Sequence, residues 1–133
     1  MDSEIPFFKG AEQGIISPAV AEGYPGHGKD GLGDSELFDR SNIPKVSEGH
    51  GALKIIELVK AHPGEVELLC LGPLTNLALA IRLEPTLVSL IKRVFIMGGT
   101  HSALGNDSSA AEFNFCSDPE GAAIVFDSFA DSE

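Results

Sequence analysis

Apolar residues divide the chain into an irregular first third and a patterned remainder. Over residues 1–44 Gly, Pro, Asp and Ser dominate, and the apolar runs at 5–8 and Ile15-Ile16 are short, which predicts loop with one short strand. From Ser47, which has the side chain of an N-cap, Ala52, Leu53, Ile55, Ile56 and Val59 fall at helical spacing until His62-Pro63-Gly64 ends the run. A helix over 48–61 is predicted. Residues 66–71 form a short apolar segment between Gly64 and Gly72-Pro73, of strand length. A second helix follows, with Pro73 at its first position and Leu74, Leu77, Ala78 and Ile81 repeating on one face until Glu84-Pro85. Residues 87–91 add another turn or two.

Val94-Phe95-Ile96-Met97 is unbroken apolar sequence stopped by Gly98-Gly99, the signature of a parallel strand covered on both faces. Strand, helix and strand thus make a β-α-β unit with a right-handed crossover. Residues 100–117 read as a long polar loop, and such loops in small domains are more often functional than idle. Asp118 can cap a final helix, Pro119 suits its first turn, and Ala122, Ala123, Val125 and Phe126 supply its buried side. The fold class is therefore α/β, Rossmann-like, a mostly parallel sheet with flanking helices. One domain over 1–133 is expected: 1–46 mostly loop with a short first strand, 47–127 helix-strand-helix-strand-loop-helix, and a frayed acidic tail at 128–133. No internal repeat is visible.

Charge narrows the partners. Nine Lys+Arg against twenty Asp+Glu give a formal net charge of −11, a surface repelled by nucleic acid and by anionic membranes. The acidic start Met1-Asp2-Ser3-Glu4 is the reverse of a basic signal segment, and no apolar stretch is long enough for a membrane span. Cys70 and Cys116 lack CxxC spacing, so neither a disulfide framework nor a zinc site is indicated. A soluble protein of the reducing cytoplasm is expected. Asn106-Asp107-Ser108 matches a glycosylation sequon but reads as ordinary polar loop in that setting.

Open α/β sheets bind ligands beyond the carboxyl ends of their strands, here at Leu71-Gly72 and Met97-Gly98-Gly99. The loop carrying Asn106, Glu112 and Asn114 runs over that edge. The segment 23–34, with Gly23, Gly26, Gly28, Gly31 and Gly33 around His27, has the glycine density of a backbone that approaches a ligand closely. A carboxylate with two carboxamides suits adjacent hydroxyls, whereas a phosphate site would want Lys, Arg or a phosphate loop, which is absent.

The strings are more specific than the chemistry. Leu71-Gly72-Pro73-Leu74-Thr75-Asn76-Leu77-Ala78, then Met97-Gly98-Gly99, Gly105-Asn106, Ala111-Glu112-Phe113-Asn114 and Asp118-Pro119-Glu120 resemble, in that order and spacing, the inosine-uridine preferring nucleoside hydrolases. His27-Gly28-Lys29-Asp30-Gly31-Leu32-Gly33 is similar to a family segment near the nucleobase pocket. The resemblance covers nearly the whole chain but only the middle of the family's domain. It implies hydrolysis of the N-glycosidic bond of purine or pyrimidine ribonucleosides to ribose and free base, through an oxocarbenium-like transition state. A Ca²⁺ ion would chelate the ribose hydroxyls and the attacking water. It further implies ribose contacts from Asn106, Glu112 and Asn114, a sugar-side position for Met97, a base-side position for His27, and a calcium ligand in the Leu71 backbone carbonyl.

The family's aspartate-rich N-terminal signature and its C-terminal aspartate-histidine pair do not occur in this sequence. Calcium takes six to eight oxygens, so one carbonyl would not retain it, and no catalytic residue is assigned. The chain is accordingly expected to be an internal fragment or shortened form with an incomplete nucleoside hydrolase fold, catalysis not carried over. Its ligand would be a ribonucleoside, and its open sheet edge would invite homo-oligomers or other association.

Plainer roles stand beside these. Glu112 and Asn114 could cap or turn a loop, Asn106 could be a turn residue, and Met97 could fill a core gap. His27 could decorate the glycine loop, as His50, His62 and His101 decorate helix ends or loops. Thr75 and Asn76 would fix the start of the second helix, Asp30 and Asp34 would be solvated, and Cys70 would be a small core hydrophobe. The competing functional classes are a non-catalytic family member serving as a binding or interaction module, and a small flavodoxin-like binding module, against which the missing phosphate loop counts.

Overall fold

The structure is a computed structural model describing residues 5–16, 25–37 and 45–130. Its elements are β1 (Phe7–Lys9), a 3-10 turn at Pro25–His27, β2 (Val46–His50), α1 (Gly51–Ala61), β3 (Glu67–Cys70), α2 (Thr75–Leu83), α3 (Leu87–Leu90), β4 (Arg93–Ile96), α4 (Phe113–Ser117) and α5 (Pro119–Ala130). β1 and β2 pair in parallel with a register shift after Phe8, and β3 and β4 pair in parallel without one, from Glu67 opposite Arg93 to Cys70 opposite Ile96. The architecture is mixed α/β, short parallel pairs with flanking helices, as the pattern predicts. Among the described residues no helix is long and apolar enough to cross a membrane.

α2 lies at the centre because both of its sides are apolar. Leu74, Leu77, Ala78 and Ile81 meet Ala122 and Val125 of α5, while Ala80 meets Ala52, Val59 and Leu87 from α1 and α3. The small side chains let these helices approach closely, and each fully buried Leu contributes about 2 kcal/mol of transfer free energy. Leu68, Cys70, Val94 and Ile96 pack onto the α2–α5 cluster from the sheet side, Cys70 being half-buried there.

Several elements differ from expectation. Ser47 does not cap a helix: it lies inside β2, opposite Phe8, and α1 begins at Gly51 with His50 Nδ1 accepting the Ala52 N–H at 3.1 Å. Partner strand β1 supplies the pairing that local propensity could not reveal. α2 starts at Thr75, two residues after Pro73, with Leu74 as its N-cap. The expected loop over 100–117 closes into α4 at its end, and the expected tail is helical as far as Ala130. Residues 131–133, the acidic start 1–4, and Gly23 and Tyr24 of the glycine segment lie outside the described residues. Among the described residues the β3–β4 pair is covered on one face only, with Leu69 66% and Phe95 44% exposed on the other. β4 also borders a groove of about 690 Å³ lined by Val88, Ile91, Val125, Phe126 and Phe129 together with Lys92 and Arg93.

Candidate functional site

Parallel pairing carries Leu71 and Met97 to one edge, and the Met97 N–H bonding to the Cys70 carbonyl at 2.9 Å extends the ladder to the strand ends. Gly98-Gly99 then turns the chain. Gly99 has a φ of 75°, and a Cβ at Gly98 would lie 2.4 Å from the Phe115 ring, so a larger residue could not sit beside α4.

Glu112 is the N-cap of α4. Its Oε1 accepts the Asn114 N–H at 3.0 Å and its Oε2 accepts the Phe115 N–H at 3.2 Å and the Gly99 N–H at 2.9 Å. One carboxylate therefore joins the turn after β4 to the start of α4. Asn114 is buried beneath it, and its Nδ2 donates to the Met97 carbonyl at 2.9 Å and to the Leu71 carbonyl at 3.4 Å. Asn106 Oδ1 accepts the Phe113 N–H at 2.8 Å. His27 reaches the same place from the glycine segment: its ring stands edge-on to Phe113, centroids 5.9 Å apart at 85°.

All six residues singled out in the sequence are thus connected: His27 and Asn106 through Phe113, Glu112 through Gly99, and Asn114 through Leu71 and Met97. The plainer roles coexist with the sharper ones, because Glu112 does cap, Asn106 does stabilise a turn, and Asn114 does fasten backbone. Capacity for a ligand remains in the half-exposed Glu112 carboxylate, whose oxygens have further lone pairs, in the Asn106 amide donors, and in the exposed Met97 side chain. A cavity of about 430 Å³ opens beside Leu71, lined also by Ile55, Leu69, Pro73 and Asn76. The larger groove at β4 touches none of the candidate residues.

The glycine segment is self-bracing. Asp34 accepts the Lys29 and Asp30 N–H groups at 3.0 and 3.3 Å, and Asp30 Oδ1 accepts those of Leu32 and Asp34 at 2.8 and 2.9 Å. Gly28 has a φ of 66°, and a Cβ there would meet the Asp34 N at 2.6 Å. These carboxylates shape a turn that presents His27.

A calcium ion does not fit the described residues. The Leu71 carbonyl faces an amide donor, Asn114 Nδ2, which repels a cation, and among the described residues no group of three His, Cys, Asp or Glu could hold a metal. A hydrogen bond to Asp107 and the nearby Glu112 charge push the Cys116 thiol pKa up.

A profile of the inosine-uridine preferring nucleoside hydrolases matches residues 1–133. The chain belongs to that family. It is 44% identical over 130 residues to uridine nucleosidase 1 of Arabidopsis thaliana, which covers 96% of this chain and 38% of the relative. It is 39% identical over 123 residues to the inosine-uridine preferring nucleoside hydrolase of Crithidia fasciculata, covering 92% of this chain and 38% of the relative. Among solved structures, a plant nucleoside hydrolase superposes with a TM-score of 0.85 at 33% identity over 93% of this chain and 39% of its own. A purine-preferring ribonucleoside hydrolase from Gardnerella vaginalis gives 0.84 at 29% identity over 94% and 40%. The chain thus spans about two fifths of the length of the relatives it matches.

Within this member of the family, three residues matter more than sequence reasoning recognised. Phe113 links His27 to Asn106. Asn76 fixes the turn after β1, its Oδ1 accepting the Ala11 N–H at 2.8 Å while a Cβ at Gly10 would strike its amide at 2.6 Å. Asp118 caps α5 as expected, the Gly121 N–H donating to it at 3.0 Å, but it is also 1% exposed and bonded to two other segments. The signal available beforehand was the pair Gly14 and Gly121, both of which leave room for that carboxylate.

Proposed function

We propose that the edge formed by Leu71, Met97, Asn106, Glu112 and Asn114, with His27 beside it, is the ribose-facing half of a nucleoside hydrolase site. The observation that carries this reading is the Asn114 amide spanning the Leu71 and Met97 carbonyls while Glu112, its neighbour, presents a half-exposed carboxylate at the same strand ends. Acceptors and amide donors at that spacing suit vicinal hydroxyls, and a carboxylate near the sugar favours positive charge developing on it. The ligand class is a purine or pyrimidine ribonucleoside, and the reaction of the completed site is N-glycosidic hydrolysis to ribose and base. Calcium would complete that site only with oxygen ligands beyond those gathered among the described residues. The chain incubated with inosine or uridine and calcium is expected to release no base above background; turnover abolished by a chelator would overturn this reading.

A second reading, a non-catalytic family member that self-associates, is favoured by the side of β4 that pairs with no strand among the described residues and by the apolar groove beside it. Sedimentation velocity separates the two: self-association that Phe95→Lys weakens supports the second reading, and a monomer at all concentrations removes it.

A further inference from the structure

Two hydrogen bonds fasten α4 to the segment leaving β3, and they are in register. Asn114 Nδ2 donates to the Leu71 carbonyl, and four positions further along both segments Thr75 Oγ1 donates to Asp118 Oδ2 at 2.5 Å. The Asp118 carboxylate also accepts the Ile15 N–H at 3.1 Å and the Gly121 N–H at 3.0 Å. A carboxylate buried to this depth is costly unless each oxygen is bonded, and here donors arrive from the turn after β1, the first residue of α2 and the first turn of α5. The surrounding backbone is shaped for it: a Cβ at Gly14 would lie 3.1 Å from Asp118 Cγ, and one at Gly121 would lie 2.3 Å from Oδ2. Capping α5 needs only the Gly121 bond, so the bonds from Thr75 and Ile15 are surplus to capping.

We propose that Asp118 is a positioning residue for the ribose-facing edge: by holding Thr75 and the end of α4, it sets where Asn114 meets the Leu71 and Met97 carbonyls. The inference rests on the ribose reading given above for its functional meaning. α4 spans only Phe113–Ser117, too short to orient itself, so its placement comes from its two ends. Glu112 fixes the first end to Gly99, and Asp118 fixes the second to α2, which Leu74 and Leu77 anchor in the core.

The test compares Thr75→Val, which deletes the hydroxyl at nearly constant volume, with Thr75→Ser, which keeps it, and with Val59→Ala as a core change away from the site. The readouts are the Asn114 side-chain amide signals in ¹H–¹⁵N spectra and the affinity for inosine. Thr75→Val is expected to move the Asn114 signals and weaken inosine about tenfold, the scale of one charge-assisted hydrogen bond. Thr75→Ser is expected to restore both, and Val59→Ala to lower the melting temperature while leaving both unchanged. Asn114 signals unmoved in Thr75→Val would overturn the positioning role. Should the unsubstituted chain bind no inosine, the ribose reading falls by itself, and the Asn114 signals still decide the positioning role.

Discussion

Asn114 Nδ2 donates to the Met97 carbonyl at 2.9 Å, so a side chain from α4 takes up the carbonyl at which the β3–β4 ladder runs out. The same amide reaches Leu71, which makes Asn114 the tie between the two strand ends. Asn114→Asp replaces this donor by a carboxylate facing carbonyl oxygens. It is expected to cost about 2 kcal/mol at neutral pH, measured by urea unfolding. Burial beside carbonyl oxygens raises the introduced carboxyl's pKa above its unfolded value, so the deficit should shrink as the pH falls from neutral and be gone by about pH 4, where the protonated group donates again.

Gly121 lies in the first turn of α5, where alanine ordinarily improves a helix by up to about 1 kcal/mol. Here the sign reverses, because its Cβ would lie 2.3 Å from Asp118 Oδ2. Gly121→Ala should destabilise by about 2 kcal/mol, read as a lower melting temperature, through the strain of overpacking a buried site.

Glu112→Ala removes the acceptor for the Gly99, Asn114 and Phe115 N–H groups. Loss of an N-cap costs about 1 kcal/mol, and because the same carboxylate holds the Gly98-Gly99 turn, amide exchange should quicken at Gly99 as well as in α4.

Cys116 is exposed, yet a hydrogen bond from its thiol to Asp107, with the Asp107 and Glu112 charges, disfavours the thiolate and raises the pKa above its ordinary value of 9.0. At pH 7.5 the thiolate fraction is therefore reduced and alkylation slow. Asp107→Asn removes a charge and lowers that pKa, so iodoacetamide should modify Cys116 several-fold faster. Cys70, whose pKa is raised by burial, should remain the slower thiol in both proteins.

The core and the candidate edge were legible in the sequence for different reasons. Leu74, Leu77, Ala78 and Ile81 announce α2 by spacing, and the glycines after Leu71 and Met97 mark where strands end. The strings around Asn106, Glu112 and Asn114 carried the family. β2 was not legible, because Val46–His50 becomes a strand only through β1, and Gly49 with a φ of 103° gives no strand signal. Asp118 read as a cap because its bonds to Thr75 and Ile15 span 43 and 103 residues of sequence, separations that periodicity does not see. The bare face carrying Leu69 and Phe95 was likewise invisible, since an unbroken apolar strand implies covering on both sides whether or not the covering elements lie among these residues.

Titration of the chain with inosine by calorimetry, once with calcium and once with excess chelator, addresses the half-site most directly. Saturable binding of equal affinity in the two conditions is predicted, because Asn106, Glu112 and Met97 would contact the nucleoside while the Leu71 carbonyl is already taken by the Asn114 amide donor. Heat indistinguishable from dilution in both conditions, or binding that appears only with calcium, would contradict it.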